Sequence, residues 1–268
     1  MDSLYMEGKG PHEGEKTLAA VEFKLHYMKG KLVRARRCLK GWRKAMPPQS
    51  RLPMPRLAMF GVAMVLAAKG FRDMALKTMV DFLLYLRPGE GLDLRARNII
   101  PPVRAAGKQF QWVTVVVRDQ EGQVPDKTGI FDNSLAIDHT MWVGQQLLIL
   151  KKKVNSKDDR IFTFTMEAFR TEFARASRLL NLGDLHPYQL RHGGASEDMV
   201  SKRREYSAVK ARGRWRSDTS VRRYTKIGKV QELLNRLSPI HLRFCQWSEK
   251  NMEKMFLGMI EPKLPSMM

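Results

Sequence analysis

The chain has 268 residues, enough for one large domain or two modest ones with a buried core. Apolar residues make up 43% of it and charged residues 28%, a globular balance that excludes a disordered or fibrous protein. Against 27 Asp and Glu stand 48 Lys and Arg, a net charge of +21, which points to a polyanionic partner; nucleic acid is favoured over a ribosome-associated or membrane-surface role.

In chain order, residues 1–14 are polar, contain glycine and are expected to fray. From Glu15 to about Met46 the apolar spacing through Leu18, Val21, Leu25, Leu32, Leu39 and Trp42 predicts helix. Nine Lys and Arg and no acid lie between Lys31 and Arg56. Most charge runs are solvated helix faces, but one without any acid fits contact with a nucleic-acid backbone through Arg34, Arg36, Arg37, Lys40, Arg43 and Lys44. The prolines at 47, 48, 53 and 55 suggest a linker over 51–56. Leu57–Ala68 and Phe71–Leu86 read as two buried helices turning at Gly70, the first too short to span a bilayer. Gln111–Arg118 is the clearest strand, with a turn at 119–123 and a return strand running through Lys127 to Ile137. From Thr140 onward the pattern is helical, with breaks near Lys151–Asp159, Gly183–Pro187, Gly213 and Pro239. Cys38 and Cys245 form no CxxC and read as thiols in a reducing compartment. The first residues lack an apolar core behind a basic start, so no secretory signal is expected.

Four separated segments carry chemistry together. Tyr85-Leu86-Arg87-Pro88-Gly89-Glu90 is a helix end, a turn and a new start, where Glu90 suits a helix N-terminus. In Leu185-His186-Pro187-Tyr188-Gln189-Leu190-Arg191-His192-Gly193-Gly194, Tyr188 and Arg191 share a helix face, and the paired glycines would weaken a helix unless something packs very closely on them. Arg212-Gly213-Arg214-Trp215-Arg216 and Arg222-Arg223-Tyr224 follow, in a stretch from Ser201 to Lys229 with eleven basic residues against Glu205 and Asp218. A lone tyrosine in a basic helix is usually a packing aromatic; the ordered set is what alters the odds.

An Arg, then YxxRH, then GRW, then Tyr nine positions after the Trp resembles the tyrosine recombinase (phage integrase) family, from about Leu57 to Lys226. That resemblance implies a mainly α fold with a small antiparallel β-sheet, a catalytic domain over 57–237 preceded by a short helical segment over 1–50, and a C-terminal helix and tail over 238–268. It implies that Tyr224 is the nucleophile, that Arg87 and Arg191 clamp the phosphate, that Lys127 on the hairpin is the general acid in preference to Lys108, and that Trp215 donates to the phosphate or packs the tyrosine. Arg212, Arg214, Arg216, Arg222 and Arg223 would meet the DNA backbone. The reaction it implies cuts and rejoins double-stranded DNA through a 3′-phosphotyrosyl bond with no metal, ATP or other cofactor, on self-assembled dimers or tetramers, in an intracellular, DNA-associated setting such as nucleus or nucleoid and away from membranes.

The chain departs from the family's HxxR at one position. Tyr188 stands where His is usual, and His186 is five residues before Arg191 instead of three. Tyr188 keeps a hydroxyl near the phosphate, but a phenol titrating near pH 10 is a poor base at neutrality. His192 reads as structural. Residues 1–50 are short for a complete core-binding domain, which implies a reduced module or a piece of a longer product. Two alternatives to a recombinase stay open: a type IB topoisomerase-like nicking enzyme, and a domesticated DNA-binding protein that has lost catalysis.

Overall fold

In a computed structural model, the residues described are 2–46, 51–117, 133–138, 140–225 and 227–267. The chain divides into two compact units, Met1–Arg51 and Leu52–Met268.

In the first unit, α1 (Asp2–Met6) and α2 (Pro11–Lys24) begin earlier than their polarity suggested. Pro11 opens α2 because its fixed φ suits a first helical position, where its missing N–H costs nothing. The single helix expected from Glu15 to Met46 is instead two: the chain turns through His26–Met28 and Gly30, at φ +80°, before α3 (Val33–Ala45). Leu18, Leu39 and Trp42 are buried between α2 and α3, with Leu4, Leu32 and Ala35 around them. This small core puts the basic face of α3 outward.

The second unit begins before the expected end of the linker. Met54 is wholly buried, its N–H donates to the Gln189 carbonyl at 3.2 Å, and Gln189 Nε2 donates to the Leu52 carbonyl at 2.8 Å. Residues 52–55 are therefore strapped to the unit's interior. Two helices, α4 (Arg56–Ala68) and α5 (Arg72–Leu83), form its centre, and α6 (Pro88–Leu92) follows. Three short strands, β1 (Ile99–Ile100), β2 (Thr114–Val117) and β3 (Asn133–Ala136), make an antiparallel sheet in that order. Ile99, Val115 and Leu135 pair across it, and all three are buried. That row is the inward face which the alternating β-branched run demands. β1 carried no sequence signal, since two residues show no periodicity.

The remainder is helical: α7 (Met141–Lys153), α8 (Met166–Leu179), α9 (Tyr188–Val200), α10 (Tyr206–Arg212), α11 (Asp218–Arg222), a 3-10 turn at Arg223–Thr225, α12 (Ile227–Leu234) and α13 (Pro239–Phe256). Phe244, Met252, Met255 and Phe256 of α13 join the main core, and α13 packs on α4 within its own chain. Cys38 is exposed, Cys245 is buried, and neither is in a disulfide. No helix among the described residues is long and apolar enough to cross a membrane.

Candidate active site

The site starts where α5 stops. Tyr85 takes a left-handed backbone, φ +49°, which swings the chain so that Arg87 becomes the residue before α6. The Arg87 N–H donates to Glu90 Oε2 at 2.9 Å, and its guanidinium donates to Glu90 Oε1. Pro88 at the first helical position fixes the turn. The segment that reads as a turn and cap thus ties Arg87 to a buried carboxylate.

Close packing of α9 then brings in Arg191. A Cβ on Gly193 would lie 2.1 Å from the Met54 carbonyl oxygen, and one on Gly194 would lie 1.9 Å from that of Phe82. Only hydrogen fits at either position, so the two glycines that weaken the helix let it press against α5. Arg191 is 1% exposed. Its guanidinium donates to the Tyr85 and Gly213 carbonyls and lies 4.7 Å from the Trp215 ring centre. Its Nε is buried and makes no hydrogen bond among the described residues.

The end of α10 supplies Arg214. Arg214 N–H donates to the Ala211 carbonyl at 2.9 Å and Trp215 N–H to that of Lys210 at 3.1 Å, the paired bonds of a Schellman motif. Arg214 occupies its left-handed position, φ +54°, where glycine is the usual choice and a side chain costs about 1 kcal/mol. Its side chain is 2% exposed and donates to Glu90 Oε2 at 2.6 Å. Arg87, Arg191 and Arg214 therefore gather around Glu90, three positive charges against one negative. Burial, with Arg214 and Arg87 beside it, pushes the Arg191 guanidinium down to about 10. Burial alone would raise the Glu90 carboxyl; Arg214, the Arg87 amide and the guanidiniums of Arg87 and Arg191 outweigh it and hold the group below the ordinary 4.5. A desolvated cluster with surplus positive charge is suited to binding an anion.

Beside the cluster runs a chain of aromatic rings. Tyr188 and His192 have centroids 5.0 Å apart, His192 and Tyr224 5.2 Å, Trp215 and Tyr224 4.7 Å, and Tyr85 and Trp215 6.2 Å. Tyr224 is 3% exposed and sits in the 3-10 turn, with Ala195, Val209 and Val221. Behind it the Tyr85 hydroxyl donates to Asp198, which also accepts from Arg204 Nε at 2.8 Å; burial pushes the Tyr85 phenol upward.

The fold brings together Arg87, Arg191, Tyr188, Trp215 and Tyr224. Lys127 lies in the stretch 118–132, outside the described residues, between β2 and β3, and Lys108 is exposed in a short turn at Lys108–Phe110. Two arginines expected to meet DNA from the surface are corrected. Arg212 turns inward, donating to the Leu83 carbonyl at 3.1 and 3.0 Å and to that of Ala136 at 2.9 Å. Arg214 is buried on Glu90, because the Schellman turn points it into the unit. Arg216 and Arg222 are exposed, and nothing is described of the Arg223 side chain. In the first unit Arg34, Arg36, Arg37, Lys40, Arg43 and Lys44 are all exposed, with Arg36 paired to Glu22 and Arg43 to Glu15. The roles of three site residues went unrecognised in the sequence. Glu90 read only as a helix cap, although its i+3 spacing from Arg87 was visible. His192 read as structural, although i+4 from Tyr188 puts both on one face. Arg214 gave no signal, since an arginine in a basic run looks like surface.

No family model matches the chain, and no curated protein matches it. Among solved structures it is similar to XerA recombinase at 16% identity and a TM-score of 0.50, covering 94% of this chain and 88% of that one. It is also similar to the XerH site-specific recombinase bound to difH substrate in a pre-cleavage complex, at 16% identity and a TM-score of 0.46, covering 70% of this chain and spanning only 54% of that one. The chain has the tyrosine recombinase fold, mainly helical with a small antiparallel sheet.

Proposed function

We propose that this chain is a DNA strand transferase that cuts and rejoins duplex DNA through a phosphotyrosyl bond at Tyr224. The observation that carries the reading is the surplus of positive charge, the buried Arg191 and Arg214 and the half-buried Arg87, around the buried carboxylate of Glu90, one aromatic ring away from Tyr224. The XerA-like fold and the net charge of +21 support it.

The chemistry follows from these groups. A phosphodiester is anionic and repels nucleophiles, and its alkoxide is a poor leaving group. Guanidiniums at Arg87 and Arg191 hold the non-bridging oxygens through fixed donor forks and stabilise the added charge of the five-coordinate state. The same positive field favours the Tyr224 phenolate. The tyrosine oxygen attacks phosphorus, the phosphotyrosyl bond forms, and the 5′-oxygen leaves with a proton, the role assigned to Lys127. His192, whose ring packs on that of Tyr224 with centroids 5.2 Å apart, is the imidazole to which this reading gives the phenol proton, in place of the histidine missing at 188. The bond energy stays in the phosphotyrosine, so rejoining by a free 5′-hydroxyl needs no ATP. Self-assembly on DNA belongs to the same proposal.

A second reading, a DNA-binding protein with lost catalysis, is favoured by Tyr188 at the histidine position. A pool of nicked suicide duplexes with randomised flanks separates the two. The strand transferase gives a covalent adduct on a denaturing gel that Tyr224→Phe abolishes. Duplex binding without any adduct establishes the second reading, and equal adducts from both proteins place the nucleophile elsewhere.

A further inference from the structure

We propose that Arg214 is a positioning residue of the anion site: it holds Glu90 while Arg87 turns from Glu90 to the bound phosphate. The inference rests on the phosphate-site reading above and adds a residue to it. Three observations support it. Arg214 stands at a left-handed helix-end position where glycine is unstrained, so the strain is tolerated for the side chain. That side chain is buried and donates to Glu90 Oε2 at 2.6 Å. Glu90 is at the same time the acceptor of the Arg87 guanidinium and main-chain N–H, so the arginine nearest the surface, 21% exposed, is held by an internal anion.

A phosphate that draws Arg87 away would leave Glu90 as a buried carboxylate without its first counter-ion, which is costly. Arg214 removes that obstacle because it stays behind on the other carboxylate oxygen. Without Arg214, Glu90 and Arg87 become an exclusive pair, and the anion must compete with Glu90 for Arg87. The groups facing Glu90 are Arg87 on its own turn, Arg214 from the end of α10, Arg191 from α9, and the Lys77–Asp81 pair from α5; α8 contributes the Phe169 ring over Lys77. Arg214 heads the neighbours that lower the Glu90 carboxyl, so its loss makes Glu90 protonate at higher pH.

The test is inorganic sulfate binding, read by ligand-induced shift in Tm between pH 5 and 8, where sulfate itself does not titrate. Arg214→Gly relieves the backbone and keeps the turn, and its Tm without sulfate checks the fold. The wild type is expected to bind sulfate, and Arg214→Gly about tenfold more weakly at pH 7.5. As the pH falls, Glu90 protonates at higher pH in the variant than in the wild type and releases Arg87, so the difference from wild type narrows. Adding Glu90→Gln to Arg214→Gly is expected to restore binding and flatten the pH profile. Equal binding by Arg214→Gly and wild type overturns the inference, as does a loss that neither low pH nor Glu90→Gln rescues. Sulfate binding absent from the wild type overturns the phosphate-site reading itself.

Discussion

Two arginine-rich regions of the same chain look alike as sequence and differ as physics. Along α3, Arg34, Arg36, Arg37, Lys40, Arg43 and Lys44 are exposed, each solvated and each replaceable by another cation. Around α6, α9 and the end of α10, Arg87, Arg191 and Arg214 share one carboxylate, and two of the three are almost wholly buried. A solvated cation attracts a polyanion from a distance and is screened by salt; a desolvated one recognises a particular anion geometry and is screened little. In the proposed function, the first kind of region draws nucleic acid in, and the second activates a single phosphate. Composition reports their sum and cannot distinguish them.

The largest effect expected from this difference is at Arg191. Arg191→Lys keeps the charge but loses the planar donor fork, and covalent adduct formation on the suicide duplex should fall by about 10²–10³-fold. Binding at low salt should hardly change. A matching loss in binding would show that Arg191 serves attraction and not activation, which erases the contrast.

The buried pair Lys77–Asp81 tests how the core beneath the site holds charge. Both side chains are 0% exposed, and burial pushes the Asp81 carboxyl up to about 7 despite Lys77 beside it. Lys77→Met leaves that carboxyl without its cation and should cost about 3–5 kcal/mol in urea melts. An acid whose folded pKa is raised above its unfolded value adds stability below the unfolded pKa and loses it as pH rises through the folded one. The destabilisation should therefore be greatest above pH 7 and shrink toward pH 4. A constant loss across that range would point to packing against Phe169 instead of charge.

A good part of this molecule was visible in its residues. The helix pair at 57–68 and 71–86 announced itself through unbroken apolar spacing, and the strand at 111–118 through its valines; the structure starts the first helix one residue earlier and shortens the second helix and the strand by a few residues, because ends are set by caps and pairing. Gly193-Gly194 was legible as a demand for close packing, and Met54 and Phe82 supply it. What was not legible is direction. Nothing in Arg212-Gly213-Arg214-Trp215-Arg216 says that 212 and 214 point inward and 216 outward, because the left-handed backbone at Arg214 breaks the helical periodicity that would have told them apart. The same gap hid the role of Glu90, whose partners come from three separate segments.

Acid unfolding probes the Glu90 carboxylate with a smaller effect. The folded pKa of Glu90 is held below 4.5, so its contribution is present above the unfolded pKa and disappears as pH falls through the folded value. Wild-type Tm should drop below about pH 4.5 in part through Glu90. Glu90→Gln should be less stable than wild type at pH 7, where three guanidiniums lose their anion, and the two should converge in acid. Parallel Tm curves down to pH 3 would mean that Glu90 is not the group that balances them.

The smallest single-residue effects belong to α3, and there pairing separates neighbours. Arg34, Arg37, Lys40 and Lys44 follow one another at helical i+3 and i+4 steps, while Arg36 is engaged with Glu22, 2.5 Å away. A cation that meets a phosphate releases counterions, about 0.9 in the slope of log K against log salt, whereas a surface ion pair is worth about 0–1 kcal/mol and has to be surrendered first. Arg37→Gln should thus lower the salt slope of duplex binding by up to about 1, and Arg36→Gln by less. Neutralising Arg34, Arg37, Lys40 and Lys44 together should remove up to about 3–4 from the slope without changing the rate at which bound DNA becomes covalent. A fall in that rate would mean that the exposed arginines position the reacting phosphate as well as attract it, and the division between the two regions would have to be redrawn.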